Sequence, residues 1–327
     1  LERSLHIKTV LGAVAGAISL YITLFHLADV NGVLRTLQRA DVAWILTAGA
    51  CEVLWFAACV GGWKKTFEPL GSSPPRRQLF LIYCVKLMVN NLVSLARVLG
   101  DAVRVYYGVR LGWSAATVIP TIVADIVLGN AGYLAVILLG CVVIWCCTEV
   151  SPYLIAANGV GAAAVVGLWA LFASERTCRE AYESVRDLVE ALVRRVGYSV
   201  GTVDELVDST VRLFRSKEAR SALVQYTVGW AARVLRLYCV TWAVWPTASP
   251  LIPLVMSIAI RGSAVVSVSP GGLGIVEGLT TGVLTVLGAD PNRVMAALLL
   301  DRLYSFVIPV TLGAVSVPVL ERHVCRG

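Results

Sequence analysis

The sequence predicts an all-α polytopic membrane protein, with about eight transmembrane spans and two re-entrant or broken half-helix hairpins arranged as an inverted repeat. Composition, the recurrence of span-length apolar runs, and a short charged hairpin pattern that occurs twice carry this expectation. Of 327 residues, 57% are hydrophobic and only 15% charged, which excludes an ordinary soluble domain. A helix needs about 20 apolar residues to cross a bilayer core of roughly 30 Å. Runs of that order fall near 8–27, 43–62, 79–95, 116–145, 153–173, 221–245, 251–268 and 293–319. The first run reads as a full span and not as a cleaved signal, since no small-residue cleavage site follows it. The chain divides into a first transmembrane half over 1–173, with a hairpin near 97–112, a polar middle over 174–220, and a second half over 221–327, with a hairpin near 269–288.

Charge and ligand-forming residues narrow the function. The net charge of +7 fits arginine-rich loops facing anionic lipid headgroups, and no nucleic-acid partner is expected. Nine cysteines, among them Cys51, Cys59, Cys84, Cys141, Cys146, Cys147 and Cys239, lie mostly in apolar segments without zinc spacing and read as small packing residues. The histidines His6, His26 and His323 stand near the first span or the C-terminus, away from any shared centre. There is no Gly-Lys nucleotide loop. The expectation is therefore a protein with no metal and no cofactor.

The loops orient the chain. Segment 63–78 carries Lys64, Lys65, Arg76 and Arg77 against Glu68 and is expected in the cytoplasm, which puts the N-terminus inside and loop 28–42 outside. With the C-terminus also inside, the protein is placed in the cell membrane. The middle segment has nine basic and nine acidic residues, so its charge does not orient it. Its periodicity is more informative. Val185, Leu188, Val189, Leu192, Val193 and Val196 fall at helical spacing, and after "GYSVG" Val203, Leu206, Val207, Val211 and Phe214 do so again. Thr202 and Glu205 have the spacing of a capping box. Two readings stand: amphipathic helices against the membrane or the bundle, or a cytoplasmic hairpin packed on itself.

Two short segments are too short or too charged to be free spans. The stretch after "PGGLG", 275–288, is 14 residues long, or about 21 Å of helix. The stretch "RVLGDAVRVYYGVR", 97–110, is equally short and charged. Irregular backbone at membrane depth is tolerated only where protein or a watery cavity surrounds it, so both hairpins should face inward. They also share a pattern. Asp101 is followed by Gly112 and Asp125, and Glu277 by Gly288 and Asp301, at identical spacing. The Gly112 turn falls inside and, with 174–220 inside, the Gly288 turn falls outside. Repeats of opposite orientation with broken helices are the architecture of many transporters.

"SPGGLGIVEG" followed by "LGADPNRVMAALLLDRL" resembles the signature of the flippase-like family, which includes the transmembrane region of lysylphosphatidylglycerol synthases, the multiple peptide resistance factors, and archaeal relatives associated with lipid-linked sugars. "NNLVSLARVLGDAVR" is similar to the family's earlier block, with Asn90, Asn91, Arg97, Gly100, Asp101 and Arg104 in the corresponding places. It departs from that block in lacking the proline, in having aspartate for glutamate, in the spacing of Arg97, and in lacking an arginine just before Asp125. The soluble aminoacyl-transferase domain has no counterpart. The resemblance implies lipid translocation without lipid synthesis, with a membrane lipid as substrate and a glycosyltransferase or lipid-modifying enzyme as partner.

Bottom-up chemistry leads to the same residues. A charge at the centre of a lone span costs roughly 2.5–3.5 kcal/mol, and one Leu or Val recovers only about 0.3–0.6 kcal/mol. Glu52, Lys86, Asp125, Arg261, Glu277, Asp301 and Arg302 all fall in membrane segments and need partners or water. Arg97, Asp101 and Arg104 share one helix face. Carrying a phosphate-bearing headgroup requires cations, free N–H groups at half-helix starts, and acids that neutralise the cations in the empty state. Pro270 ends the preceding span, and Gly271, Gly272 and Gly274 let backbone approach a headgroup, with Glu277 one turn on. The alternative for this loop is a tight turn for helix packing, and for Glu277 and Asp301 it is structural pairing with Arg261 or Arg302. Glu52 and Lys86 can also snorkel, Tyr106 and Tyr107 fit either role, and Trp44, Trp63, Trp113, Trp242 and Trp245 read as interfacial anchors. Three classes follow: a lipid flippase, an intramembrane polyprenyl-phosphate transferase, and an ion-coupled small-solute transporter. No tight acid cluster suited to Mg²⁺ supports the transferase, so the expectation is a non-enzyme.

Overall fold

The computed structural model of the protein describes residues 14, 16–93, 96–147, 167, 174–180, 182–183, 203–266 and 269–325. Among them the fold is all-α, with no strand. A helix through 16–22 runs into a π-turn at Thr23–Leu27. The following helices are α1 (Val30–Gln38), α2 (Val42–Phe67), α3 (Arg76–Leu92), α4 (Ala96–Arg110) and α5 (Ala115–Cys147). After the middle segment come α6 (Val203–Arg215), α7 (Lys217–Val244), α8 (Leu251–Val266), α9 (Ile275–Val286), α10 (Pro291–Arg302) and, beyond a π-turn at Leu303–Val307, α11 (Ile308–Val324).

Among the described residues, three stretches are long and apolar enough to cross a membrane: Val42–Leu70, Ala115–Val143 and Pro291–Val324. They coincide with three of the expected spans. The runs near 79–95, 221–245 and 251–268 appear as α3, α7 and α8. α3 and α8, at 17 and 16 residues, are shorter than the first three, and α7 is long enough but less apolar. The expected span over 153–173 and the first amphipathic helix over 185–196 lie outside the described residues, apart from Gly167, as do Thr202 and most of 8–15.

Local chemistry sets the ends of the short helices. Ser114 starts α5 by accepting the Ala116 N–H, and Asp290 starts α10 by accepting from Asn292, with Pro291 at the first helical position. Both α4 and α9 end on a glycine with positive φ, Gly112 at 87° and Gly288 at 85°. Gly112 N–H donates to Val109 and Trp113 N–H to Gly108, while Gly288 N–H donates to Thr285 and Ala289 N–H to Leu284. These are the paired bonds of a Schellman stop, which a left-handed glycine allows. The observed α9 has 12 residues, since the Leu-Gly pair expected at its end forms the stop.

The chain divides into two compact units. The first comprises 1–53, 87–99 and 232–312, and its core gathers Val244, Met256, Leu284 and residues 294–298 around α10. The second comprises 54–86, 100–231 and 313–327. In it, Leu206, Val207 and Val211 of α6 pack with Cys178 and Tyr182 against Val109, Ala115 and Ile119. The apolar stripe of α6 thus docks on the α4–α5 turn, which favours the bundle-docked reading of that helix. Small residues permit the close helix packing here: a side chain on Gly132 would meet the backbone of Tyr226 and Thr227, and one on Gly62 the Tyr226 ring.

Candidate functional site

Among the described residues, two buried ion-pair clusters lie in the first unit and one in the second. In the second unit, Lys86 of α3, Asp101 and Arg104 of α4, and Asp125 of α5 form a quartet. Asp125 Oδ2 lies 3.1 Å from Lys86 Nζ and 2.9 Å from Arg104 Nη1. Asp101 Oδ1 accepts from Arg104 Nη2 at 2.6 Å and Nε at 3.2 Å, and lies 3.7 Å from Lys86 Nζ. Two cations face two acids, so the quartet is neutral. Both cations also rest on aromatic faces: Arg104 Cζ is 5.0 Å from the Trp63 ring centroid and Lys86 Nζ is 4.8 Å from that of Tyr83. The Trp63 indole N–H donates to Thr121 Oγ1, which fixes that ring. The side chain of Arg104 is 0% exposed and that of Asp125 6%, whereas Lys86 is 12% and Asp101 21% exposed. Access to the quartet is therefore from the Asp101 and Lys86 side.

In the first unit, Arg236 of α7 stands between Glu52 of α2 and Asp301 of α10. Its Nε and Nη2 donate to Asp301 Oδ1 at 3.0 and 2.7 Å, and its Nη1 donates to Glu52 Oε2. The guanidinium lies 5.9 Å from the Tyr304 ring centroid, and Tyr304 is itself held by its hydroxyl donating to Ile45 O. All three charged side chains are buried. Here two acids share one cation.

The "PGGLG" loop makes the third cluster. Gly271, Gly272 and Gly274 have φ of 57°, 72° and 80°, which lets Pro270–Gly272 form a single tight turn before α9. The Gly274 N–H donates to Glu277 Oε2 at 2.7 Å, so the acid caps its own helix. Glu277 Oε1 accepts from Arg302 Nε, while Arg302 Nη1 and Nη2 donate to the carbonyls of Gly271 and Gly272 at 2.9 and 3.4 Å. The loop thus presents carbonyl oxygens to a guanidinium, and the N–H that would attract an anion is taken by Glu277. The glycine space is filled as well. A side chain on Gly274 would meet Gly16 O at 1.8 Å, and one on Gly271 would meet Phe306 and Asn91 O. Ser19 Oγ donates to Gly274 O, so the first helix sits directly on the loop. Asn91 ties the end of α3 to the π-turn by donating to Ser305 O.

The expected site residues sort as follows. Asp101, Arg104 and Asp125 come together in the quartet, and Pro270, Gly271, Gly272, Gly274, Glu277 and Arg302 in the loop cage. Asp301 pairs with Arg236 and not with Arg261 or Arg302, while Glu277 takes Arg302 as one of the structural pairings allowed. Arg261 is half-buried on α8 and is itself engaged. Arg97 lies on α4, but its side chain is outside the described residues. Glu52 and Lys86 do not snorkel; each belongs to a buried cluster. Trp63 is no interfacial anchor but a buried face for Arg104. Arg236 is a site residue beyond those expected, although it lies within the run 221–245 and carries the same insertion cost as its partners. Among the described residues no group of three His, Cys, Asp or Glu could hold a metal ion.

Residues 9–313 match the family described as the lysylphosphatidylglycerol synthase TM region. A UPF0104 membrane protein of Pyrococcus horikoshii is 24% identical over 318 residues, covering 92% of this chain and 94% of the relative. One from Methanothermobacter thermautotrophicus is 24% identical over 293 residues, covering 86% and 87%, and one from Methanocaldococcus jannaschii is 22% identical over 314 residues, covering 89% of each. The chain belongs to the lysylphosphatidylglycerol synthase TM region family and is a membrane protein.

Proposed function

With membership in that family as the premise, we propose that the protein is a lipid flippase, a transporter and not an enzyme, that moves a phosphate-bearing lipid across the cell membrane. The substrate class is a polyprenyl-phosphate-linked sugar or an aminoacylated or anionic phospholipid. The observation that carries this reading is the quartet, where Arg104 and Lys86 sit desolvated on Trp63 and Tyr83 with their charge balanced by acids. A headgroup phosphate accepts hydrogen bonds from the same donor edge of Arg104 that Asp101 occupies. Asp101, the most exposed member, is then the acid that gives way, and Asp125 stays to hold the cations in place.

The architecture proposed is about eight spans in an inverted repeat, with both termini and the Gly112 turn cytoplasmic and the Gly288 turn outside. The helix starts recur in order: Val30 with Val203, Val42 with Lys217, Arg76 with Leu251, Ala96 with Ile275, and Ala115 with Pro291. Asp101 and Glu277, Gly112 and Gly288, Ser114 and Asp290, and Asp125 and Asp301 are each 176 residues apart, and the two glycine stops use the same pair of hydrogen bonds. Broken helices related in this way suit alternating access around a fixed site. The partner proposed is a glycosyltransferase or lipid-modifying enzyme that makes or uses the lipid.

The test is transbilayer movement in proteoliposomes, comparing the natural chain with Lys86→Gln in the quartet over headgroup-labelled zwitterionic and aminoacylated phospholipids and a polyprenyl-phosphate sugar. Selective movement of one class, lost in the variant, is the expected result. No movement of any lipid by folded protein would count against a flippase and for a small-solute transporter, which the same repeat would serve.

A further inference from the structure

The first unit holds a charge imbalance that the lipid reading does not use. Glu52 and Asp301 are both carboxylates and share one guanidinium, Arg236, with side-chain exposures of 4%, 8% and 1%. Glu52 Oε2 bonds to Arg236, but Glu52 Oε1 is buried and has no hydrogen-bond partner. Among the described residues, Arg236 is the one cation within 4.0 Å of either carboxylate, and Cys51 on α2, Cys239 on α7 and Tyr304 in the π-turn lie beside the triad. Those three neighbours bring no positive charge: the two thiols hydrogen-bond each other, and the Tyr304 hydroxyl is committed to Ile45 O. A surplus negative charge buried with an open lone pair is strongly disfavoured unless something positive joins it.

We infer that the Glu52–Arg236–Asp301 triad is a binding site for one monovalent cation, taken up at Glu52 Oε1 as a proton on the carboxyl or a sodium ion beside it. Either source supplies the single charge that makes the triad neutral. Binding follows from the charge balance alone and does not depend on the lipid reading; its use as a coupling ion in transport rests on that reading. The triad shares no residue with the quartet, which is already neutral.

The experiment is thermal unfolding of the purified full chain in detergent, in sodium or choline chloride at fixed pH and over a descending pH series, for the natural chain, Glu52→Gln and Asp301→Asn. A cation that binds only the folded state raises Tm. The expected rise for the natural chain is about 2–4 °C, in sodium if the ligand is sodium or on acidification if it is a proton. Each variant leaves Arg236 with one acid and removes the surplus. Both variants should therefore match or exceed the Tm of the natural chain in choline, and both should lose its specific response. This sign is unusual, since removing one partner of a buried ion pair ordinarily destabilises a protein. The inference is overturned if the natural chain responds to neither cation, if the variants respond as it does, or if both variants melt well below it or fail to fold. None of these readouts involves lipid movement, so a failed flippase assay leaves this result standing and the reverse also holds.

Discussion

The two units use the same ingredients in opposite proportion. In the second unit two cations meet two acids, and each cation is backed by an aromatic ring. In the first unit one cation meets two acids. Asp125 and Asp301 follow the Gly112 and Gly288 turns at the same sequence spacing, yet Asp125 is held by Lys86 and Arg104 together and Asp301 by Arg236. The difference lies in α3 and α4 against α8 and α9: Lys86 of α3 has the uncharged Gly262 of α8 as its counterpart 176 residues on. Arg104 has Thr280 as its counterpart 176 residues on, a small buried side chain that brings no charge. A neutral cluster with one exposed acid is suited to exchanging that acid for another anion, and a cluster with a surplus acid is suited to taking a cation.

The largest effect that would break this comparison is at Arg104. Arg104→Gln leaves Asp101 and Asp125 to Lys86 alone, and removing one partner of a buried pair costs about 3–5 kcal/mol. A thermal melt should show a drop several times larger than that for Lys86→Gln, which leaves both acids on the arginine. Gly274→Ala comes next. Its positive φ costs on the order of 1–3 kcal/mol, and the added carbon would also strike the Gly16 carbonyl. By contrast Gly112→Ala and Gly288→Ala meet open space and should each cost only about 1–2 kcal/mol for the left-handed backbone. Equal losses at 112 and 288 sharpen the repeat, and clearly unequal ones count against it.

How much of this was legible from sequence differs between the regions. The all-α class and the two Leu-Gly stops were legible because burial of apolar runs and left-handed turns are local demands, written in consecutive residues. The acids at 101, 125, 277 and 301 were legible for the same reason, as charges in apolar runs. Their partners were not. Asp301 is 65 residues from Arg236, and Glu52 is 184 from it, so the choice among the arginines of the apolar runs depends on tertiary packing. The "PGGLG" glycines announced a backbone close approach, but only the fold shows that the partner filling the Gly274 position is the Gly16 backbone.

The smallest effect concerns α6. Burial pushes the Tyr182 phenol above its ordinary value of about 10, although Thr210, its hydrogen-bond partner, pulls it down. A phenol raised in the folded state contributes stability that is fully present below pH of about 10 and is lost as pH rises through its folded value. Protease sensitivity of the α6 region should therefore rise at strongly alkaline pH, and Tyr182→Phe should weaken that dependence by removing the ionisable group.

The most direct test of the central claim is the ratio of anionic to zwitterionic lipid movement in proteoliposomes for the natural chain and Lys86→Gln, with folding verified by melt. If the quartet receives the headgroup phosphate, loss of one cation should slow the anionic lipid at least about tenfold, the equivalent of 1.4 kcal/mol of lost headgroup interaction, and change the ratio. Equal slowing of both lipids, or none, would contradict it.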